Sequence, residues 1–287
     1  MTNIDKNNRT QVENAKNNLS TMDLNSAKLD GIDLSSGNMI TVNFKGASLK
    51  NSNLSKSILR EADFTQADLS GANLKDANLR QAKLIKTKLV GANLEGADLM
   101  GANLSKCDLS GANLQGAKLV EANAFDVNLK GADLRGAKLC GHYQREGYYS
   151  RGTNLTRANL QNADLTEADC HGVDMIDADL QGANLSGADL NEASLRGANL
   201  QGANLRGTKL SAADLKKTNL SGVDFEGADL METKFKGTDL REALNLSPDE
   251  IATAFIDKKT LIPDYLEITW TSEDTFECKL RPQDSVS

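Results

Sequence analysis

Leucine recurs every five residues through most of this chain, and that period decides what the chain can fold into. Between Gly91 and Leu119 the leucines stand at 94, 99, 104, 109, 114 and 119, each preceded two positions earlier by Ala92, Ala97, Ala102, Cys107, Ala112 or Ala117. A period of five matches neither the 3.6 of an α-helix nor the 2 of a strand, so either element would scatter the leucines over all faces. A solenoid keeps them together. If each pentapeptide forms one side of a coil, the leucine (the centre of the unit) and the small residue before it point inward, while three positions face water. Stacked coils then bury what one coil cannot. Twenty of the 23 glycines lie two residues after a centre, where a corner needing φ > 0 favours a residue without Cβ.

The unit is written most plainly at Ala72-Asn73-Leu74, Ala97-Asp98-Leu99, Ala132-Asp133-Leu134, Ala183-Asn184-Leu185 and Ala203-Asn204-Leu205. It resembles the A(D/N)LXX motif of the pentapeptide-repeat family, at a density similar to that of cyanobacterial members. The resemblance implies an all-β solenoid, a right-handed quadrilateral β-helix (the repeat-five-residue fold), with four units per coil. Residues twenty apart then stack, and Asn53, Asn73, Asn93 and Asn113 would form one ladder able to hydrogen-bond from layer to layer.

Centres run without a gap from Leu19 to Leu139, 25 units, and again from Leu155 to Leu240, 18 units. At about 4.8 Å per coil this is a rod of roughly 50 Å. Met39, Phe44 and Phe64 replace Leu near the start, and Ile32, Val42, Ser52 and Ser57 replace Ala. One unit, Asn123-Ala124-Phe125, puts Ala at the centre. Either Phe125 folds back to fill the space, or it stays outside as an exposed contact.

The largest irregularity is residues 140–154, CGHYQREGYYSRGTN. From Leu139 to Leu155 is 16 residues, three units plus one, so the second block runs in a shifted register. Extending that register backward would place Tyr148 in a slot sized for Ala, which predicts a loop bulging from the solenoid. His142, Tyr143, Arg145, Tyr148, Tyr149 and Arg151 concentrate there, on a scaffold otherwise walled by small and polar residues. Tyr and Arg combine contact area with hydrogen bonding and are enriched at interface hot spots. These six residues and Phe125 are the candidate protein-interaction site; the alternative for the loop is a tolerated insertion whose tyrosines cover the gap.

Both ends carry helix-start signals, which predict short α-helical caps. Residues 1–17 form an N-terminal segment in which Thr10-Gln11-Val12-Glu13 reads as a capping box, and residues 18–245 are the repeat domain. Residues 246–287 contain all three prolines and Ser247-Pro248-Asp249-Glu250, a capping box with Pro at the first helical position. That helix is expected to end near residues 257–259. Beyond it, Leu266, Ile268 and Trp270 alternate, as do Phe276, Cys278 and Leu280, in the manner of a hairpin. An acidic tail is the other reading.

Charge and cysteine usage narrow the function. Net charge is −7, but residues 18–139 carry 15 basic and 13 acidic groups, residues 140–245 carry 11 and 16, and residues 246–287 carry 4 and 9. No basic stripe with interleaved aromatics is visible along the sequence, so nucleic-acid binding is not expected. There is no membrane-spanning run and no apolar leader, which fits a cytoplasmic protein. Cys107, Cys140, Cys170 and Cys278 show no CxxC spacing, which favours reduced thiols. A metal cluster of Cys140, His142, Cys170 and His171 is disfavoured because Cys170 occupies an inward slot. The motif itself explains the recurrent Asp and Asn, so neither a catalytic site nor a cofactor is predicted.

Two function classes follow. The first is a non-enzymatic interaction protein or regulatory scaffold, monomer or weak dimer, with an unknown protein partner. The second, implied by resemblance to a family whose fluoroquinolone-resistance members act this way, is a DNA mimic that binds a topoisomerase such as DNA gyrase. Lys28, Lys83, Lys88, Lys118 and Lys138 interrupt the outward acidic positions that mimicry needs.

Overall fold

The computed structural model describes residues 4–140, 152–273 and 275–282. From Asp23 onward, the residue before each centre pairs in parallel with its counterpart twenty further on: Asp23 with Asn43, Lys28 with Ser48, Asp33 with Asn53, Asn38 with Ile58. Four such ladders run side by side, so four pentapeptides close one coil. We number the sides by their first centres in these ladders (side 1, Leu24; side 2, Leu29; side 3, Leu34; side 4, Met39), and each corner takes the number of the side before it.

Each rung is held twice. On side 1 Leu24 N donates to Asn43 O (2.8 Å) and Asn43 N to Met22 O (2.9 Å), and the same exchange repeats up the rod. Corners are built by the motif. After Leu24, Ala27 N donates back to Leu24 O (3.2 Å), while Asp23 Oδ1 accepts the Asn25 N–H (3.1 Å). The Asp or Asn of the motif is therefore a turn residue that satisfies backbone locally. Side-chain rungs are added where Asn stacks on Asn, as from Asn73 to Asn53 and from Asn113 to Asn93 (3.3 Å each).

The second corner residue takes φ near +60°, and here the glycine rule is a preference only. Nineteen glycines adopt it, but so do 23 other residues, among them Thr21 (63°), Glu61 (58°) and Arg157 (58°). Each non-glycine there costs roughly 1–2 kcal/mol, offset by the bonds to the coils on either side. Gly37 is different: a Cβ there would lie 2.9 Å from the Lys16 carbonyl, so it is the point where the N-terminal cap seats.

The core is a column of Leu with Ala between. All centres from Leu19 to Leu240 are essentially inaccessible, including Met39, Phe44, Phe64, Cys170 and Met175. Phe44 and Phe64 stack at 5.1 Å, one coil apart, and Phe225 meets Phe235 edge-on at 6.2 Å. Threonines in the Ala slot bury their hydroxyls by donating to carbonyls, as Thr87 does to Phe64 O (2.7 Å) and Thr233 to Leu210 O (2.8 Å).

The register shift resolves differently from three units plus one. Asn123 pairs with Asn154 and Lys138 with Asp169, thirty-one apart where twenty is the rule, an excess of eleven. Thr153 N donates to Leu139 O (2.8 Å), the closure that every regular corner makes. Cys140 and Gly152 therefore flank corner 4, and no side is skipped between them. Residues 141–151 lie outside the described residues.

At the start, helix α1 (Arg9–Asn14) is followed by a 3-10 turn, Lys16–Asn18. Its cap is Asn8, which accepts the Gln11 N–H, and no Thr10–Glu13 box forms because the helix begins earlier. Glu13 instead accepts the Asp33 N–H (3.1 Å), Asn7 accepts the Lys28 N–H (3.2 Å), and Arg9 donates to Gly31 O (2.8 Å). These side chains close backbone groups of the first coil that have no coil beneath them.

At the other end, helix α2 (Pro248–Thr253) carries both bonds of its capping box. It stops short of residues 257–259 because Ala254 turns extended (ψ 159°) and the chain rejoins the solenoid. Phe255 pairs with Lys234 and Leu261 with Asp239, so the ladder continues beyond Asn245, where the strict five-residue period ends. Offsets of 21 and 22 residues hide these last rungs from a fixed period. Strands β1 (Leu266–Trp270) and β2 (Phe276–Leu280) then form an antiparallel hairpin, with Trp270 against Phe276 at 5.3 Å.

Two stability predictions follow from these local conflicts. Ser52 sits in an Ala slot, 1% exposed, and its hydroxyl has no partner. Ser52→Ala should stabilise the protein by about 1 kcal/mol, read as a higher midpoint in urea, since an unsatisfied buried hydroxyl is removed; a lower midpoint would show a hidden partner. Glu61→Gly should stabilise by about 0.5–1 kcal/mol by relieving its corner, and Gly111→Ala, at φ 63°, should destabilise comparably. Equal melting temperatures for all three proteins would show that these corners store no strain.

Candidate interaction surfaces

Of the seven residues that the sequence singles out for partner binding, His142, Tyr143, Arg145, Tyr148, Tyr149 and Arg151 lie outside the described residues. Phe125 lies at corner 1. It does not fill the space beside Ala124: it stands half-buried on the outside, with the Arg157 guanidinium 5.5 Å from its ring centroid. Arg157 also pairs with Asp126 (3.5 Å). Ala124 itself is 1% exposed, so the coil closes over it without the aromatic. Corner 1 lies one side beyond corner 4, where the insertion departs.

Sides 1, 2 and 4 mix Asp with Lys, whereas side 3 carries Asp33, Asp133, Asp164 and Asp224 among runs of Asn and no basic residue. Side 4, for example, reads Asp98, Lys118, Lys138, Asp169, Asp189, Lys209, Asp229 in stacking order, with no sustained acidic row. Many Asp carboxylates are turned back on the chain, as Asp63 is onto Thr65 N (2.8 Å) and Asp108 onto Ser110 N (3.1 Å). Corners carry the freer charges, and stacking sorts them. Corner 4 has Arg60 and Arg80 against Glu61, Glu121, Glu192 and Glu232; corner 3 has four basic and four acidic groups. Corner 1 is predominantly basic: Lys45, Lys86, Lys106, Arg157, Arg196, Lys216, Lys217 and Lys236 share it with Asp126, Asp177 and, at its C-terminal end, Asp257, which accepts the Gly237 N–H (3.0 Å).

This corrects the expectation of no basic stripe. The residues are spaced by one coil and belong to different repeats, so no window along the sequence gathers them. Backbone bonds make the column continuous: Lys86 N donates to Ser105 O (3.0 Å), Lys106 N to Phe125 O (3.0 Å), Asp126 N to Thr156 O (3.0 Å) and Arg157 N to Ile176 O (2.9 Å).

Among the described residues no group of three His, Cys, Asp or Glu could hold a metal ion. Three of the four thiols are buried in unreactive settings. Burial pushes Cys107 up to about 12, and Cys140, 2% exposed, is pushed up to about 12 by burial and by Asp169, whose Oδ2 accepts its thiol proton at 2.9 Å. Cys170 is raised by burial as well, and Cys278 on the hairpin is raised but only half-buried. A thiolate is the reactive form. A thiol reagent at neutral pH should therefore label Cys278 first and the other three only as the protein unfolds; mass spectrometry showing Cys140 modified in the native state would contradict this.

The repeat geometry has known counterparts. A model described as pentapeptide repeats matches in eight copies, over residues 38–76, 77–116, 107–141, 151–182, 174–211 and 209–244. The chain belongs to the pentapeptide-repeat family. Its fold is the right-handed quadrilateral β-helix of that family. Among solved structures it is similar to HetL, a pentapeptide repeat protein involved in heterocyst differentiation regulation from the cyanobacterium Nostoc sp. strain PCC 7120. The two are 30% identical over 78% of this chain and 93% of HetL, with a TM-score of 0.41. A pentapeptide repeat protein of the Arabidopsis thaliana thylakoid lumen is 32% identical over 36% of this chain and 71% of its own, with a TM-score of 0.34. QnrB1, a plasmid-mediated fluoroquinolone resistance protein, is 19% identical over 77% of this chain and 92% of its own, with a TM-score of 0.49. No curated protein matches. No helix among the described residues is long and apolar enough to cross a membrane.

Proposed function

We propose that this pentapeptide-repeat protein is a non-enzymatic regulatory scaffold that binds a protein partner through the 141–151 insertion and the adjacent Phe125 corner. The observation that carries this reading is that the rungs on all four sides continue, and Thr153 N closes on Leu139 O, although eleven extra residues, 141–151, lie between the two halves of corner 4, so those residues are not needed to close the coil. Its Tyr and Arg content suits a contact surface, and a rigid rod offers it at little ordering cost to the scaffold. A cytoplasmic setting goes with this reading, supported by the lack of CxxC spacing and by the burial of Cys107, Cys140 and Cys170. HetL, a regulator by its description, lends support by likeness.

The DNA-mimic reading is not favoured. Mimicry needs a phosphate-like acidic row, whereas lysines interrupt side 4 and corner 1 is basic.

The test is affinity capture from lysate of the source organism with intact protein and with Tyr148, Tyr149 and Arg151 replaced by Ala. A recognition loop predicts that a specifically captured protein is lost while the melting temperature stays within about 2 °C, as expected for exposed substitutions. Retained capture with a lowered melting temperature would make the segment a structural plug and end the proposal.

A further inference from the structure

The geometry points to corner 1 as a second docking edge, one that takes an acidic protein segment carrying regularly spaced apolar residues. It rests on the scaffold reading above and adds the place and chemistry of a contact.

Charge is the first argument. A protein of net charge −7 keeps one edge predominantly basic. Lys86 and Lys106 stack on adjacent coils, both exposed, and like charges directly opposite across a ladder are destabilising. Neither they nor Lys45, Arg196 and Lys236 form an ion pair among the described residues. Carboxylates neutralise the edge only in part: Asp63 and Asp108 are held against backbone N–H groups of their own turns, Asp126 is engaged by Arg157 and Asp214 by Lys216 (3.7 Å), and Asp177 and Asp257 stand towards the C-terminal half, away from Lys86 and Lys106. An anionic partner would relieve the repulsion, because its carboxylates would find several cations already held in line.

Spacing is the second argument. In the first position of the same corner stand Ile85, Phe125 and Ile176, all half-buried, with Ser105 and Thr156 between them. Each apolar residue is two coils from the next, a repeat of about 10 Å, close to the rise of seven residues of an α-helix. An amphipathic acidic helix with one apolar residue per heptad therefore meets an apolar contact and flanking cations at each repeat. A nucleic-acid duplex fits less well. It is wide enough to lie over sides 1 and 2, where Asp63, Asp174, Asp179 and Asp214 stand, and it has no use for Ile85 and Ile176.

The test uses the full chain and a fluorescein-labelled synthetic peptide of glutamates with leucine at every seventh position, read by anisotropy. Saturable binding is expected, weakened about tenfold by K86E/K106E and severalfold by Phe125→Ala, and weakened further by salt. K56E/K130E makes the same charge change on other corners and should bind within about twofold of the parent, as rim charges far from a contact do. No saturable binding, equal binding by K86E/K106E, or tighter binding of a labelled DNA duplex than of the peptide would each overturn the assignment. If the peptide fails while capture of a partner still depends on Tyr148, Tyr149 and Arg151, only the edge is lost and the scaffold reading stands.

Discussion

Backbone hydrogen bonding between successive coils is the constraint on which everything else depends. Each side exchanges two bonds with the next coil, and each corner adds another, so no coil is complete without a neighbour on both faces. This explains the ends. Asn7, Arg9 and Glu13 satisfy the first coil with side chains, and the last coil is finished by chain that returns after helix α2 to add rungs at Phe255 and Leu261. It also explains why so many non-glycine residues tolerate a left-handed corner: the cost at one residue is offset by bonds that fix the corner from above and below.

The same ladder makes position on the surface a matter of stacking. A residue's neighbours outside are those one coil away, not those beside it in sequence. Side walls are locked by Asp and Asn serving the turns, which leaves corners to present long charged and apolar side chains. Corner 1 thereby gathers cations with Ile85, Phe125 and Ile176, while corner 4 gathers glutamates. A rod with unlike edges can hold more than one partner segment without moving, which suits a scaffold.

The insertion and corner 1 differ in what they ask of the fold. The rungs on all four sides continue from one flank of residues 141–151 to the other. Corner 1 is part of every coil, and its composition is set within the repeats themselves.

Much was legible in the sequence because the core obeys a strict period. Leu, Phe and Met every five residues, with small residues two before, imply a solenoid and its inward positions, and Ser247 to Glu250 imply a capping box, because the inward positions repeat at a fixed spacing and turn bonding is local. Tertiary structure decided the rest. That Phe125 lies outside under Arg157, that the shift is one unit plus eleven residues, that the ladder runs on to Leu261 and that one corner is predominantly basic all depend on which residues stack. Stacking partners are twenty or more residues apart, and the offset changes at the insertion and near the C-terminal end. No reading at fixed spacing follows those changes; only the closed coil, with its bonds made, brings the partners together.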